Sequence, residues 1–89
     1  MRALPRTEAV SRRLDDRMVV VHLGTNRIYE LNDTASRLWE HLSDGADVDE
    51  AKRRLLTEFD VDEAHLSAEV DATLERFRTD GLLDGDGRD

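Results

Sequence analysis

Cysteine is absent from the 89 residues, which excludes disulfides, zinc–thiolate sites and iron–sulfur ligation by this chain. Long apolar runs are absent too. The longest, Met18-Val19-Val20-Val21, falls far short of the roughly 20 residues that a membrane helix needs. The opening Met1-Arg2-Ala3-Leu4-Pro5-Arg6 offers no apolar stretch that could act as a secretion signal. A reducing, cytoplasmic setting with no membrane partner is therefore expected. Aromatics make up only 4% of the chain, while hydrophobic and charged residues stand at 38% each. That composition supports one modest core, and the length supports one small domain. The expected organisation is a domain over residues 1–83 and a flexible acidic tail over 84–89.

Positive charge is scarce overall and unevenly placed. The formal net charge is -8, whereas a sequence-independent phosphate binder needs a basic footprint. Residues 1–31 nevertheless carry six arginines against four acids, while residues 32–89 carry seven basic residues against seventeen acids. The two parts are electrostatically different.

The first third reads as β structure. Glu8 to Leu14 alternates weakly, with Val10, Arg12 and Leu14 on one side, and Asp15-Asp16 makes a turn. Arg17 to Leu23 is richer in β-branched residues, and Val19, Val21 and Leu23 share a face. Gly24-Thr25-Asn26 supplies a tight turn. Arg27 to Leu31 returns as a third strand, with Tyr29 and Leu31 on one face.

The remainder reads as helix. Asn32-Asp33-Thr34 offers capping side chains, and Ala35, Leu38, Trp39 and Leu42 follow at i, i+3, i+4, i+7. Asp44-Gly45 ends that helix. Asp47 with Glu50 suits a capping box, and Val48, Ala51, Leu55 and Phe59 form the next stripe. A third helix carries Leu66, Val70, Leu74 and Phe77, and stops at Gly81 in a left-handed cap. Leu82-Leu83 then folds back on the core. Three strands followed by three helices predict an α+β fold with one packed layer pair.

Catalytic chemistry is hard to assemble from these residues. His22, His41 and His65 include no i, i+4 pair for a metal and read as surface or edge residues. Serines 11, 36, 43 and 67 lack a nucleophile elbow or an adjacent base, and no glycine-rich loop follows a strand. The tail Asp84-x-Asp86-Gly87-x-Asp89 lacks the closing glutamate of a calcium loop. No Asp-Ser dipeptide is present to carry the prosthetic group of an acyl carrier protein. A winged-helix DNA reader is disfavoured because Asp49, Glu50, Glu63, Glu69, Asp71 and Glu75 would face phosphates with like charge. No enzyme activity, cofactor, metal or nucleic-acid partner is expected.

What remains is recognition by surface. With strands ordered along the chain, residues 27–31 lie at a sheet edge, where an extended peptide can satisfy the unpaired amides and carbonyls. The third helix is the natural wall of a groove beside that edge. Glu69 and Thr73 flank its apolar stripe on one side, and Ser67 and Arg78 on the other.

The run Tyr29-x-Leu31-Asn32-x-Thr34-Ala35-x-x-Leu38-Trp39 resembles the signature of the PqqD-like family. So do Asp44-Gly45, Leu56 and Phe59 with Val61, Val70, Leu74 and Gly81-Leu82-Leu83, in the same order over residues 8–83. These domains are the precursor-peptide recognition elements of ribosomally made, modified peptides. The resemblance implies a winged-helix-like fold of a three-stranded antiparallel sheet followed by three helices. It also implies that a leader peptide docks as an extra strand along Arg27, Ile28, Tyr29, Glu30 and Leu31. The opposite wall would be Glu69, Val70, Thr73, Leu74 and Phe77. Tyr29, Leu31 and Trp39 match structural positions of the family. With no fused catalytic part in the chain, the resemblance implies a stand-alone leader-binding protein of a lasso-peptide pathway, working with a cysteine leader peptidase. The alternatives are a chaperone presenting a precursor to a radical SAM enzyme, as in pyrroloquinoline quinone biosynthesis, and a winged-helix DNA-binding regulator.

Overall fold

The computed structural model describes residues 4–84. In chain order the elements are β1 (Leu4–Pro5), β2 (Ala9–Leu14), β3 (Arg17–His22), β4 (Arg27–Leu31), α1 (Asp33–Ser43), α2 (Val48–Glu58), α3 (Glu63–Thr79) and β5 (Leu83–Asp84). Strands β2, β3 and β4 form an antiparallel sheet in that order, and β1 pairs with β5. The expected three strands and three helices are all present. The two-residue β1–β5 ladder is an addition that no periodicity could signal. It draws Asp84, expected in the tail, into a strand opposite Leu4; residues 85–89 of that tail lie outside the described residues.

Each helix starts where a short polar side chain can accept from an unpaired first-turn amide. Asn32 Oδ1 accepts from Ala35 N at 2.8 Å, Asp47 Oδ1 from Glu50 N at 2.8 Å, and Asp62 Oδ1 from His65 N at 2.9 Å. At α2 the Glu50 carboxylate also accepts from Arg54, one turn on, at 2.7 Å.

The apolar stripes of the three helices converge on the inner face of the sheet. Leu38, Trp39, Leu42, Ala51, Leu55, Leu66, Val70, Leu74 and Phe77 form one core cluster with Met18, Val20 and Leu31. The Trp39 and Phe77 rings meet edge to face, with centroids 5.4 Å apart. The face that Val19, Val21 and Leu23 share is the outer one. The core-facing side chains of β3 are Met18, Val20 and His22, while Val19 and Val21 are half-buried and Leu23 is 57% exposed. A strand of consecutive valines carries no alternation to choose a face, and the register against β4 (Met18 opposite Leu31, Val20 opposite Tyr29) decides it.

Two of the histidines are buried rather than superficial. His22 Nδ1 accepts hydrogen bonds from the amides of Gly24 (3.1 Å) and Thr25 (3.3 Å), so it shapes the β3–β4 turn. His41 Nε2 lies 3.0 Å from Glu58 Oε2, inside an ion-pair network in which Arg13 of β2 and Arg37 of α1 both engage Glu40 and Arg37 also holds Glu58. The Arg37 hydrogen bond keeps the Glu58 carboxyl below its usual range against the opposing effect of burial, with help from His41. Burial pushes the Glu40 carboxyl up, but Arg13 and Arg37 together outweigh it and hold it low.

Gly81 ends α3 at φ +76, as expected of a left-handed cap. A Cβ there would sit 3.3 Å from His22 Nε2. Gly81→Ala should therefore lower stability by about 1–2 kcal/mol, the usual penalty for an L residue in that backbone region. A urea melt that leaves the midpoint unchanged would contradict this.

Candidate functional site

Strand β4 closes the sheet on one side. Among the described residues it pairs only with β3. Which of its backbone groups face outward follows from the ladder. The Leu23 amide donates to Glu8 O at 2.8 Å, toward β2, whereas His22 O accepts from Asn26 N at 2.7 Å, on the β4 side. Backbone groups alternate in direction along a strand, so Val19 and Val21 also point theirs toward β2. Ile28 and Glu30 stand opposite Val21 and Val19 and thus form non-hydrogen-bonded pairs with β3. Their amides and carbonyls point away from the sheet, leaving two donors and two acceptors at the open border.

The side chains of β4 divide between the two faces. Tyr29 is half-buried against the core and Leu31 is buried, while Arg27, Ile28 and Glu30 are exposed. Glu30 is ion-paired with Arg17 of β3. At the C-terminal end of β4 lies a concavity of about 390 Å³, lined by Asp16, Arg17, Glu30, Leu31, Asn32 and Asp33.

Helix α3 contributes mainly core. Val70 is fully buried, Leu74 and Phe77 are each 2% exposed, and Thr73 is 6% exposed with its hydroxyl donating to Glu69 O at 2.8 Å. Glu69 is half-buried. Of the two flanks of α3, one is already taken: Lys52 of α2 reaches Ser67 Oγ at 2.9 Å and Asp71 at 3.0 Å. The flank of Glu69 and Thr73 is not engaged by α2 in this way. The residues named from sequence therefore separate into an open backbone border at 27–31, one half-buried acid at Glu69, and four buried side chains, Val70, Thr73, Leu74 and Phe77. Sequence could not have shown the last point, because a helix stripe looks alike whether it fills a core or lines a groove.

No candidate metal centre is found; among the described residues there is no group of three His, Cys, Asp or Glu able to hold an ion. No helix of the described residues is long and apolar enough to cross a membrane.

A family model described as coenzyme PQQ synthesis protein D (PqqD) matches residues 17–83. Among curated proteins, none gives a significant match. Two solved structures share the fold. One, "TbiB1 in Complex with the TbiA(beta) Leader Peptide", superposes with a TM-score of 0.87 at 27% identity, covering 92% of this chain and 95% of that one. The other, "Lasso peptide synthetase B1 complexed with the leader peptide", gives a TM-score of 0.84 at 21% identity, covering 94% and 99%.

Proposed function

Because the chain belongs to the PqqD family, we propose that it binds the leader of a ribosomally made precursor peptide and delivers that precursor to a processing enzyme. The leader adds as a strand to β4, at Arg27–Leu31, with its inward side chains against Tyr29 and the Glu69–Thr73 flank of α3. Backbone pairing to Ile28 and Glu30 supplies affinity whatever the leader's sequence, and alternate side chains supply selectivity. Val70, Leu74 and Phe77 act from beneath, by fixing α3 against the sheet. Holding the leader makes the later step on the precursor effectively intramolecular. The protein itself performs no chemistry in this account.

The observation that carries the reading is the open border of β4, on a fold shared over nearly its whole length with a protein solved with a leader peptide. The recipient enzyme is proposed to be a cysteine leader peptidase of a lasso-peptide pathway, in line with the second structural relative. The family description favours one other recipient, a radical SAM enzyme of the pyrroloquinoline quinone type. The two readings share the docking step and differ only in who receives the precursor.

The test uses the leader of the precursor encoded beside this chain, labelled with a fluorophore. Anisotropy should rise to saturation with a Kd between micromolar and nanomolar, about -8 to -12 kcal/mol. A scrambled leader should bind at least tenfold more weakly. Equal binding of the two, or none below 100 micromolar (roughly -5.5 kcal/mol), would overturn the reading.

A further inference from the structure

Arg27, Tyr29 and Leu31 alternate onto one face of β4, and Arg27 stands opposite core-facing His22 in the β3–β4 ladder. Cross-strand partners share a face, so Arg27 lies on the helix side of the sheet, at the first position of the open border. The end of α3 meets the same place, because a Cβ on Gly81 would sit 3.3 Å from His22 Nε2. Arg76 comes five residues before Gly81, about 7.5 Å along the helix. It also comes seven residues after Glu69, and ~100° per residue brings those two onto one flank, the one that α2 leaves free. Both arginines are exposed. Arg17 and Arg78 hold Glu30 and Glu75, whereas no carboxylate among the described residues holds Arg27 or Arg76. Asp80, one turn beyond Arg76, makes no ion pair with it either.

We infer that Arg27 and Arg76 form a two-sided clamp for a carboxylate side chain of the leader, and that this clamp sets the leader's direction and register. The inference rests on the leader-binding reading, since the guest strand brings the carboxylate. One guanidinium comes from each wall of the groove, β4 and α3. Two cations facing one gap repel until an anion enters, and a guanidinium suits a carboxylate in particular.

The other end of the border has the opposite sign. Asp33 lines the concavity beyond Leu31, and neither Asp33 nor half-buried Glu69 has an ion pair among the described residues. Along α3, Glu69 lies about 10 Å further from Gly81 than Arg76 does. Arg27 and Leu31 are four residues apart, about 13 Å, and a guest strand covers that span with two side chains on one face. Antiparallel addition, the more stable ladder, runs from Leu31 toward Arg27. The leader that fits therefore carries a basic residue and, four positions later, an aspartate or glutamate. A guest laid in the reverse direction sets like charges together. One slipped by two residues leaves both arginines without a counter-ion.

Arg76→Glu and Arg27→Glu, made separately in the full chain, test the clamp with the fluorescent leader as probe. Both positions are exposed, so circular dichroism should match the parent. Each variant should bind the leader at least tenfold more weakly. Replacing the leader's acidic residue by lysine should cause the same loss in the parent, and should bring Arg76→Glu back to within threefold of the original pair. Raising salt from about 50 to 500 mM should weaken the original pair more than the pair of Arg76→Glu with the unaltered leader. Affinity within twofold of the parent in both arginine variants overturns the inference. So does failure of the lysine leader to recover binding, or tight binding of a native leader that has no acidic residue four positions after a basic one. A parent chain that sediments as a dimer and becomes monomeric with Arg76→Glu overturns it too, because the occupant is then a second copy. Arginine variants that bind normally, beside an Ile28→Pro variant that is tenfold weaker, would sink the clamp and leave strand addition standing. No binding of the unaltered leader would overturn both.

Discussion

Trp39→Ala is expected to destabilise the domain by about 3–5 kcal/mol. Trp39 is 1% exposed, and its ring meets Phe77 of α3 edge to face at 5.4 Å, a contact worth about 0.5–1.5 kcal/mol beyond the buried area. Removing it opens a cavity where α1 meets α3. A domain of this size has only about 5–13 kcal/mol of net stability, so about a quarter or more would be lost. Thermal unfolding followed by far-ultraviolet circular dichroism should show a midpoint lower by roughly 12 °C or more. Indole fluorescence cannot serve, because Trp39 is the sole tryptophan. A shift of only a few degrees would mean that the core closes around the gap and that the α1–α3 contact is not central.

Ile28→Pro is expected to weaken leader binding at least tenfold, about 1.4 kcal/mol, with little change in melting temperature. The Ile28 amide points to the open border, so its loss removes a donor from the guest strand without deleting a β3–β4 hydrogen bond. Proline is tolerated in a sheet at such an outward edge position. The side chain, 68% exposed, contributes little to the core. Ile28→Ala separates the two causes: it trims the side chain and keeps the amide, and should bind the leader within twofold of the parent. Equal losses in the proline and alanine variants would move the contact from backbone to side chain.

Much of this architecture is legible in the residues themselves. The i, i+3, i+4, i+7 spacing from Ala35 to Leu42 and the cap residues Asn32, Asp47 and Asp62 place the helices, and Gly45 and Gly81 adopt the positive φ that their positions suggest. Composition misleads where neighbours decide. Met18 to Val21 is apolar at every position, so only the pairing partner selects which side is buried. His22 and His41 look like surface residues in sequence, yet each is buried with polar partners supplied by the β3–β4 turn or by α2. The β1–β5 ladder joins residues 78 and 80 positions apart through two pairs, beyond the reach of any local pattern. The border at β4 was legible because strand order follows chain order. The division of α3 into a flank engaged by α2 and a flank facing Glu69 was not, since it depends on where Lys52 reaches.

The account stands on a guest strand completing β4, and amide hydrogen exchange reads that event directly. With saturating leader, the amides of Ile28 and Glu30 should slow by at least tenfold, while those of Arg27 and Tyr29, already turned toward β3, change less. Unchanged exchange at Ile28 and Glu30 under conditions where the leader is bound would place the peptide elsewhere on the protein and contradict the account.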